Sequence, residues 1–299
     1  MKRKAMGTAI ALLLLTALGA GQTQEQYLDV YIAQVKPEKR ADFDAITKRM
    51  VAANRQSKGD TWLTMETAYG PGNRVSFIST RQGYADAEKG SDAFYGSLQK
   101  AFGKAGTGKI MQDFSQCVLS TRSELRRRRW DLSSNAPTDP AAMAKLLGDA
   151  RYLRTNTVHV RPGQVAAFEA LLKEVKTANE KASPPQTRLV SQAVAGQEGT
   201  VFYITTLQNS LAGFDTVPTI QQVLGDEGYQ RFLKTNTEVV AGTELVINRF
   251  LPELSNAPEA VAAIAPDFWQ PRAAVTAKAP KAKSAVVNAS AASKVEEKK

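Results

Sequence analysis

The most unusual residues of this sequence are four consecutive arginines, Arg126 to Arg129, in a stretch that reads as a β-strand. Strand alternation places Arg127 and Arg129 on one face. Arg129 has a sequence counterpart in Arg249, so the two are predicted to form a quasi-symmetric pair of planar donors suited to a carboxylate or another anion. The alternative is that they pair with carboxylates and join the two halves of the molecule. Such carboxylates include Glu66, Glu124 and Glu244.

The single histidine, His159, lies on a predicted strand, Asn156 to Val160. It has no Asp, Glu, Cys or second His at the spacing of a metal ligand set, so no metal site is predicted. His159 and Asn156 remain candidates for the wall of a ligand pocket. The alternative is a core or rim histidine that makes one hydrogen bond.

Aromatic side chains in several predicted strands could line a cavity for a small apolar or aromatic molecule. Tyr31 and Trp62 are the candidates, and Phe77 and Tyr203 are two further aromatic residues in predicted strands. The same residues are expected if the space is simply filled as hydrophobic core.

Gly103 to Lys109 fits most of a phosphate-loop pattern, but Ile110 stands where a magnesium-binding Ser or Thr is needed. The segment also follows a helix and not a buried strand, so nucleotide binding is not predicted. We interpret these glycines as helix caps.

The elements that position these residues occur twice along the chain. Strand-like Tyr27 to Val35 leads through Pro37 into a helix, and Tyr152 to Val160 leads through Pro162 into another, at an offset of 125. A Gly-centred hairpin follows at offset 126, and Ser-Asn-Ala-Pro occurs at both 134–137 and 255–258. Ordered matches of this kind indicate an internal repeat. Each copy reads as β-α-β-β-α-α-β.

This order predicts an α+β fold: a tandem duplication of a ferredoxin-like module whose antiparallel sheet carries helices on one face only. The other face must be covered, and a second copy in the same chain is the nearest partner. We therefore expect two antiparallel sheets packed face to face, with a partly filled cavity between them.

The strand-Lys/Arg-Pro-Phe entry (Lys36, Pro37, Phe43), the Gly-centred hairpin and the closing Pro252 to Ser255 resemble the dimeric α/β-barrel superfamily. Within it, antibiotic-biosynthesis-monooxygenase-like proteins and their exported tandem versions are the most similar in pattern, over about residues 27–258. The resemblance implies a fold more than a function, since the superfamily includes cofactor-free oxygenases, haem-binding proteins and small-molecule regulators. Haem-degrading relatives use an Asn, a Trp and a His together. Here Asn156, Trp62 or Trp130, and His159 would have to serve, but His159 is on a strand where those relatives carry it on a helix.

The two ends differ from the folded part. Lys2 to Lys4, an apolar run and small residues up to Gly21 have the order of a secretory signal, with an uncleaved anchor as the alternative. The net charge is +10, but 2–4 hold three positive charges and the chain from Pro271 onward has a surplus of five. The remaining charge of +2 excludes a polyanion-binding surface, so no nucleic-acid partner is predicted.

The chain has a single cysteine, Cys117, so an internal disulfide is excluded. We interpret Cys117 as a small hydrophobic residue.

The chain is thus divided into a signal peptide (1–21), a first repeat (22–137), a linker helix (138–151), a second repeat (152–258) and a disordered Ala/Lys-rich tail (259–299). We expect an exported, periplasmic or extracellular monomer with an internal pseudo-dimer. No transmembrane span is expected, and the tail either makes weak contact with an acidic envelope surface or is simply solvated.

The leading functional hypothesis is a non-enzymatic module of the cell envelope that holds a small anionic or aromatic ligand or serves as a structural platform. The alternative is a cofactor-independent monooxygenase or isomerase acting on a small aromatic or apolar substrate in the same cavity. Haem binding is a minor third hypothesis. No cofactor is assigned, and no catalytic residue is identified.

Overall fold

The computed structural model describes residues 26–182 and 186–270. The predicted signal peptide and the chain from 271 onward lie outside the described residues. Among the residues that are described, no helix is both long and apolar enough to cross a membrane.

The first unit contains four strands and two helices. In order they are β1 (Tyr27–Val35), α1 (Arg40–Ser57), β2 (Leu63–Tyr69), β3 (Arg74–Arg81), α2 (Tyr84–Gln116) and β4 (Val118–Arg128). A helix, α3 (Pro140–Asp149), follows. The strands pair antiparallel in the order β4-β1-β3-β2, which is the predicted ferredoxin-like arrangement.

The second unit repeats this plan. Its elements are β5 (Tyr152–Val160), α4 (Val165–Lys181), β6 (Leu189–Ala195), β7 (Thr200–Gln208), α5 (Ile220–Val239) and β8 (Val240–Phe250), followed by the short helices α6 (Glu259–Ala262) and α7 (Pro266–Trp269). Its strands pair antiparallel in the order β8-β5-β7-β6.

The two sheets join along both edges to form one closed barrel. Strand β2 pairs with β8, and β4 pairs with β6, both antiparallel, so the barrel order is β1-β3-β2-β8-β5-β7-β6-β4. The predicted α+β class and the pairing of two antiparallel sheets within one chain are confirmed. Closure leaves no unpaired sheet edge between the two units.

Helices cover the outside of the barrel. In α1 the buried residues Phe43, Thr47, Met50 and Asn54 recur every three or four positions, which gives the helix one face for the sheet. Both long helices after the hairpins break at a glycine with positive φ, Gly103 (φ 70°) in α2 and Gly225 (φ 69°) in α5. Only glycine adopts this conformation without strain. Gly106 and its counterpart Gly228 lie inside the helical segments that follow these breaks, so the interpretation of the glycines as helix caps is wrong for them.

The register corrects two sequence equivalences. Tyr31 pairs with Phe77, and the equivalent Asn156 pairs with Ile204, so β3 and β7 match at an offset of 127 and not 126. Since a one-residue slip moves a side chain to the opposite face, Phe77 faces the helices whereas Tyr203 points into the barrel. Likewise, β4 and β8 match at an offset of 122, which makes Arg127, and not Arg129, the counterpart of Arg249.

One end of the barrel is closed by α3, α6 and α7. Trp269 is fully buried against Phe250, and its indole Nε1 donates a hydrogen bond to the carbonyl oxygen of Gly148 at 2.9 Å. The expectation that disorder begins at 259 is therefore wrong for 259–270. The composition averaged over the whole predicted tail is poor in large apolar residues, although its first residues include several, of which Trp269 is the most buried.

Candidate functional site

In the part of the chain that the structure describes, two pockets lie between a sheet and the helices that cover it, outside the barrel. The first pocket has a volume of about 390 Å³ and lies between the first sheet and the helices α1 and α2. The second pocket has a volume of about 460 Å³ and lies between the second sheet and the helices α4 and α5. Both are within the range of small-molecule sites. They occupy corresponding places because the module is duplicated.

The first pocket is mainly aromatic. Tyr31 and Phe77 lie on neighbouring strands with ring centroids 6.1 Å apart, and Phe114 approaches Tyr31 from α2 at 6.3 Å. Trp62 meets Phe94 edge to face at 5.8 Å, and its Nε1 donates to the carbonyl oxygen of Leu254, which holds the indole in place. The structure therefore brings the sequence candidates Tyr31 and Trp62 together on one pocket wall.

An acidic pair clamped by an arginine lies at the edge of the first pocket. The Arg81 guanidinium donates to both carboxylate oxygens of Asp60, at 2.7 and 2.6 Å, and lies 3.5 Å from Asp29 Oδ2. Burial raises the pKa of the Asp29 carboxyl above its ordinary value, and the Arg81 charge only partly offsets this. Asp29 is therefore more easily protonated than an ordinary aspartate.

A hydroxyl without a partner completes the first pocket. Thr47 lines it from α1, is 1 % exposed, and its Oγ1 makes no hydrogen bond to any described residue. Helical threonines commonly donate to the carbonyl one turn earlier, as Thr107 does to Gly103 at 2.8 Å. An unsatisfied buried hydroxyl costs about 1–3 kcal/mol, so a ligand group that bonds it gains this free energy.

The second pocket is apolar with cations at its wall. Aliphatic, proline and phenylalanine side chains form most of its lining, and Arg154, Arg188 and Lys176 are its charged residues, with no Asp or Glu among them. Asn156, a sequence candidate, lies in it two residues along β5 from Arg154. Burial lowers the pKa of the Arg188 guanidinium, and the nearby charge of Arg154 lowers it further.

The barrel interior, where the ligand cavity was expected, is occupied at its middle by packed side chains. Val30, Glu124 and Tyr203 are all at most 3 % exposed there. The Glu124 carboxylate accepts hydrogen bonds from Arg126 (2.8 Å) and from the Tyr203 hydroxyl (2.6 Å), and pairs with Arg122 at 2.7 Å. Burial alone would raise the pKa of Glu124, but Arg126, Tyr203 and Arg122 together hold it below its ordinary value. Burial and the Glu124 bond raise the pKa of Tyr203 to about 12.

The arginine candidates are placed at the two barrel seams. Arg249 pairs with Glu66 across β8 and β2 at 2.5 Å. Arg129 binds Glu169 of α4 and Asp131, and donates to Gln192 on β6 at 2.9 Å. These two arginines therefore join the halves, which is the alternative that the sequence left open.

Arg127 differs from the other two arginine candidates. Its Nε is buried and makes no hydrogen bond to a described residue. It lies at a shallow surface depression with Arg128, Arg129 and Trp130 and is not part of either pocket.

The haem-type residue set is not assembled. Asn156 faces the helices in the second pocket, whereas His159, three residues further on the same strand, points to the other face and is exposed. Trp62 belongs to the first pocket, on the other half of the molecule. No cluster of three His, Cys, Asp or Glu side chains suited to a metal ion is present among the described residues.

Sequence reasoning missed Asp29, Thr47, Arg81, Arg154 and Arg188. A usable signal exists for two of them. Asp29 and Arg154 are charged residues in the third position of β1 and β5, on the face whose neighbouring positions are apolar or aromatic. A charge on the helix-covered face of a strand is an indicator of a polar site. Thr47 gives no such signal, because most helical threonines are satisfied locally.

Comparison with known proteins finds no family model that matches the chain, and no curated protein matches it. Solved structures do resemble it. They include an anthrone oxidase-like protein (14 % identity, 77 % of this chain and 92 % of that one, TM-score 0.48) and a mutant chlorite dismutase from Candidatus Nitrospira defluvii (12 %, 82 % and 95 %, 0.41). A haem-binding protein from Thermus thermophilus is also similar (11 %, 77 % and 92 %, 0.42). The function of this chain has to be inferred from its own residues.

Proposed function

We propose that this protein binds a small, planar, mostly apolar molecule with one hydrogen-bonding group in the first pocket. The observation that carries the proposal is the unpartnered Thr47 hydroxyl among the aromatic rings. Aromatic walls favour a planar ring through offset or edge-on contacts. Since the Thr47 hydroxyl is desolvated, a ligand without a polar group leaves it unsatisfied and binds less well.

The probe pair 1-naphthol and naphthalene tests this directly, since the two differ by one hydroxyl. Calorimetric titration is expected to show tighter binding of 1-naphthol. The isosteric substitution Thr47→Val should weaken 1-naphthol binding roughly fivefold, as one neutral hydrogen bond is lost, and should leave naphthalene binding unchanged. Because Thr47 Oγ1 is unsatisfied in the free protein, the same substitution should not lower the melting temperature.

Thr107→Val is the matched control. Thr107 is also a buried helical threonine, but its hydroxyl is bonded within α2 and it does not line the pocket. It should lower stability and leave both affinities as they are. Equal affinity of the two probes for the wild type, or no effect of Thr47→Val on 1-naphthol, would refute the proposal.

A second function for the same pocket is cofactor-free oxygenation, which the raised pKa of Asp29 favours. A carboxylate with a raised pKa is a better base, and it would accept the proton that a phenol or an activated C–H group must lose before reaction with O₂. The substrate itself is the reductant: in 1-naphthol a ring C–H and the O–H each become C=O, one atom of O₂ enters as the new carbonyl oxygen, and the other leaves as water with the two hydrogens. An oxygen electrode in the 1-naphthol titration separates the two functions, because a binding protein consumes no oxygen.

Export to the periplasm or exterior is part of this proposal, on the basis of the charge order of residues 1–21. A protein in that position meets small molecules before they reach the cell interior. Native mass spectrometry of the protein from its own source reports both the removal of the signal and any retained ligand.

A further inference from the structure

The duplicated module carries opposite charge in its two pockets. Asp29 and Arg154 occupy the same third position of β1 and β5. Trp62 and Arg188 also correspond, since each forms an isolated bridge just before the second strand of its unit. At these two corresponding positions, the first pocket has a carboxylate and an indole, whereas the second pocket has two guanidinium groups.

The arginine of the first pocket has carboxylate partners, whereas the two arginines of the second pocket have none in the described part of the chain. Arg81 has Asp60 and Asp29 as partners. Arg154 and Arg188 form no ion pair with any carboxylate of the described residues, and Lys176 is 3.9 Å from Glu180 at the surface. Arg188 donates one hydrogen bond to the carbonyl oxygen of Pro218 at 3.1 Å, and the Arg154 guanidinium lies 5.1 Å from the Phe214 ring centroid.

Unpaired guanidinium groups beside an apolar cavity are costly in the free protein. Taking a charge out of water without a partner is unfavourable, and two such charges repel each other. The lowered pKa of Arg188 has burial as its first cause and the Arg154 charge as its second. A carboxylate placed between them would remove the repulsion and use the planar donors in pairs.

The rest of the cavity defines the other end of the ligand. Phe168, Leu172, Val175 and Phe232 come from α4 and α5, and Val190 comes from β6. These side chains offer no polar group, so the part of a ligand that lies against them must be hydrocarbon. The Asn156 amide lies on the same strand face as Arg154 and is available as an additional donor.

We infer that the second pocket binds a carboxylate with an apolar body, such as a medium-chain fatty acid or an aryl carboxylate, with Arg154 and Arg188 holding the carboxylate. This site is separate from that of the proposed function. It takes an anion, whereas the first pocket takes a neutral ring.

Calorimetric titration of the full chain with decanoate and 2-naphthoate tests the inference, with 1-decanol and 2-naphthol as uncharged controls. We expect at least one carboxylate to bind, and we expect its affinity to depend on Arg154, whereas the matched alcohol, which can occupy the first pocket, should bind equally well to the wild type and to Arg154→Gln. Which carboxylate binds better distinguishes an aliphatic ligand from an aromatic one. Arg154→Gln and Arg188→Gln should each weaken it at least about tenfold, as the loss of a charge-assisted hydrogen bond predicts.

Two controls separate binding from folding. Arg161→Gln changes an exposed arginine just beyond the same strand and should leave carboxylate affinity unchanged. Without ligand, Arg188→Gln should keep or raise the melting temperature, because an unpaired buried charge is removed. If Arg188→Gln lowers the melting temperature instead, Arg188 stabilises the loop at Pro218. The effect of Arg154→Gln on carboxylate affinity then decides whether the pocket binds a carboxylate.

The inference is overturned if neither carboxylate binds the wild type, if Arg154→Gln has no effect on carboxylate affinity, or if it weakens the matched alcohol as much as the carboxylate. Thr47→Val should not change carboxylate affinity, and Arg154→Gln should not change 1-naphthol affinity. Failure of one site is thereby distinguishable from failure of the other.

Discussion

At the scale of single residues, the charged and buried polar groups of this protein divide into those that have hydrogen-bond or ion-pair partners and those that do not. Arg129 and Arg249 have carboxylate partners at the seams, and Glu124 has four donors inside the barrel. Arg154, Arg188 and the Thr47 hydroxyl have no comparable partner among the described residues. Satisfied buried polar networks serve stability and unique packing, whereas unsatisfied groups beside a cavity indicate a ligand.

The Glu124 network leads to a prediction about stability. Replacing Glu124 by Gln leaves the Arg126 guanidinium without its counter-charge inside the barrel. This should cost about 3 kcal/mol or more in the free energy of unfolding, measured by urea denaturation at neutral pH. Glu198→Gln, in the exposed turn between β6 and β7 of the second unit, is the control and should change this free energy little.

The same network sets the sign of the pH dependence. The pKa values of Glu124 and Glu66 are lowered in the folded state from their ordinary 4.5. Their contribution to stability is therefore fully present above 4.5 and is lost as the pH falls through the folded values. The free energy of unfolding should decrease below pH 4.5 less steeply in Glu124→Gln than in the wild type. A parallel decrease in both proteins would contradict this role for Glu124.

At the scale of elements, the two short helices after the second repeat, α6 and α7, pack against one end of the barrel. The short helix α7 places Trp269 against Phe250, and α6 packs on α3. Neither α6 nor α7 is long enough to be stable by itself. Their order depends on the barrel end that they cover.

Trp269→Ala should therefore destabilise the whole protein and not only unwind its end. The loss of a fully buried indole should cost about 3–5 kcal/mol, visible as a lowered melting temperature in calorimetry. Asp267→Ala, on the same helix and exposed, is the matched control. If Trp269→Ala leaves the main transition unchanged, α7 is not required by the barrel.

At the scale of the whole molecule, the barrel closes within one chain. Both sheet edges of each unit are paired inside the same chain, through β2 with β8 and β4 with β6. No exposed edge strand is left in the described barrel to recruit a second copy. The two units thus lie in one chain, and their two pockets differ in sequence.

We therefore expect the protein to be a monomer. Native mass spectrometry and light scattering over a tenfold or wider range of concentration should give the mass of one chain. A concentration-dependent dimer would show that another surface, outside the barrel seams, drives association. The basic end from 271 onward remains a proposed point of weak contact with an acidic surface. A protein without this end should still be a monomer.

The sequence by itself determined the duplicated α+β module, the glycine breaks and the aromatic candidates Tyr31 and Trp62, because periodicity and repeated turn residues are local signals. Only the tertiary structure decided which residues meet. Arg129 and Arg249 went to the seams and His159 faced away from Asn156, since register and strand pairing depend on hydrogen bonds between segments far apart in the chain. The pockets and their unpaired groups likewise arise where helices lie over sheets, which no single segment encodes.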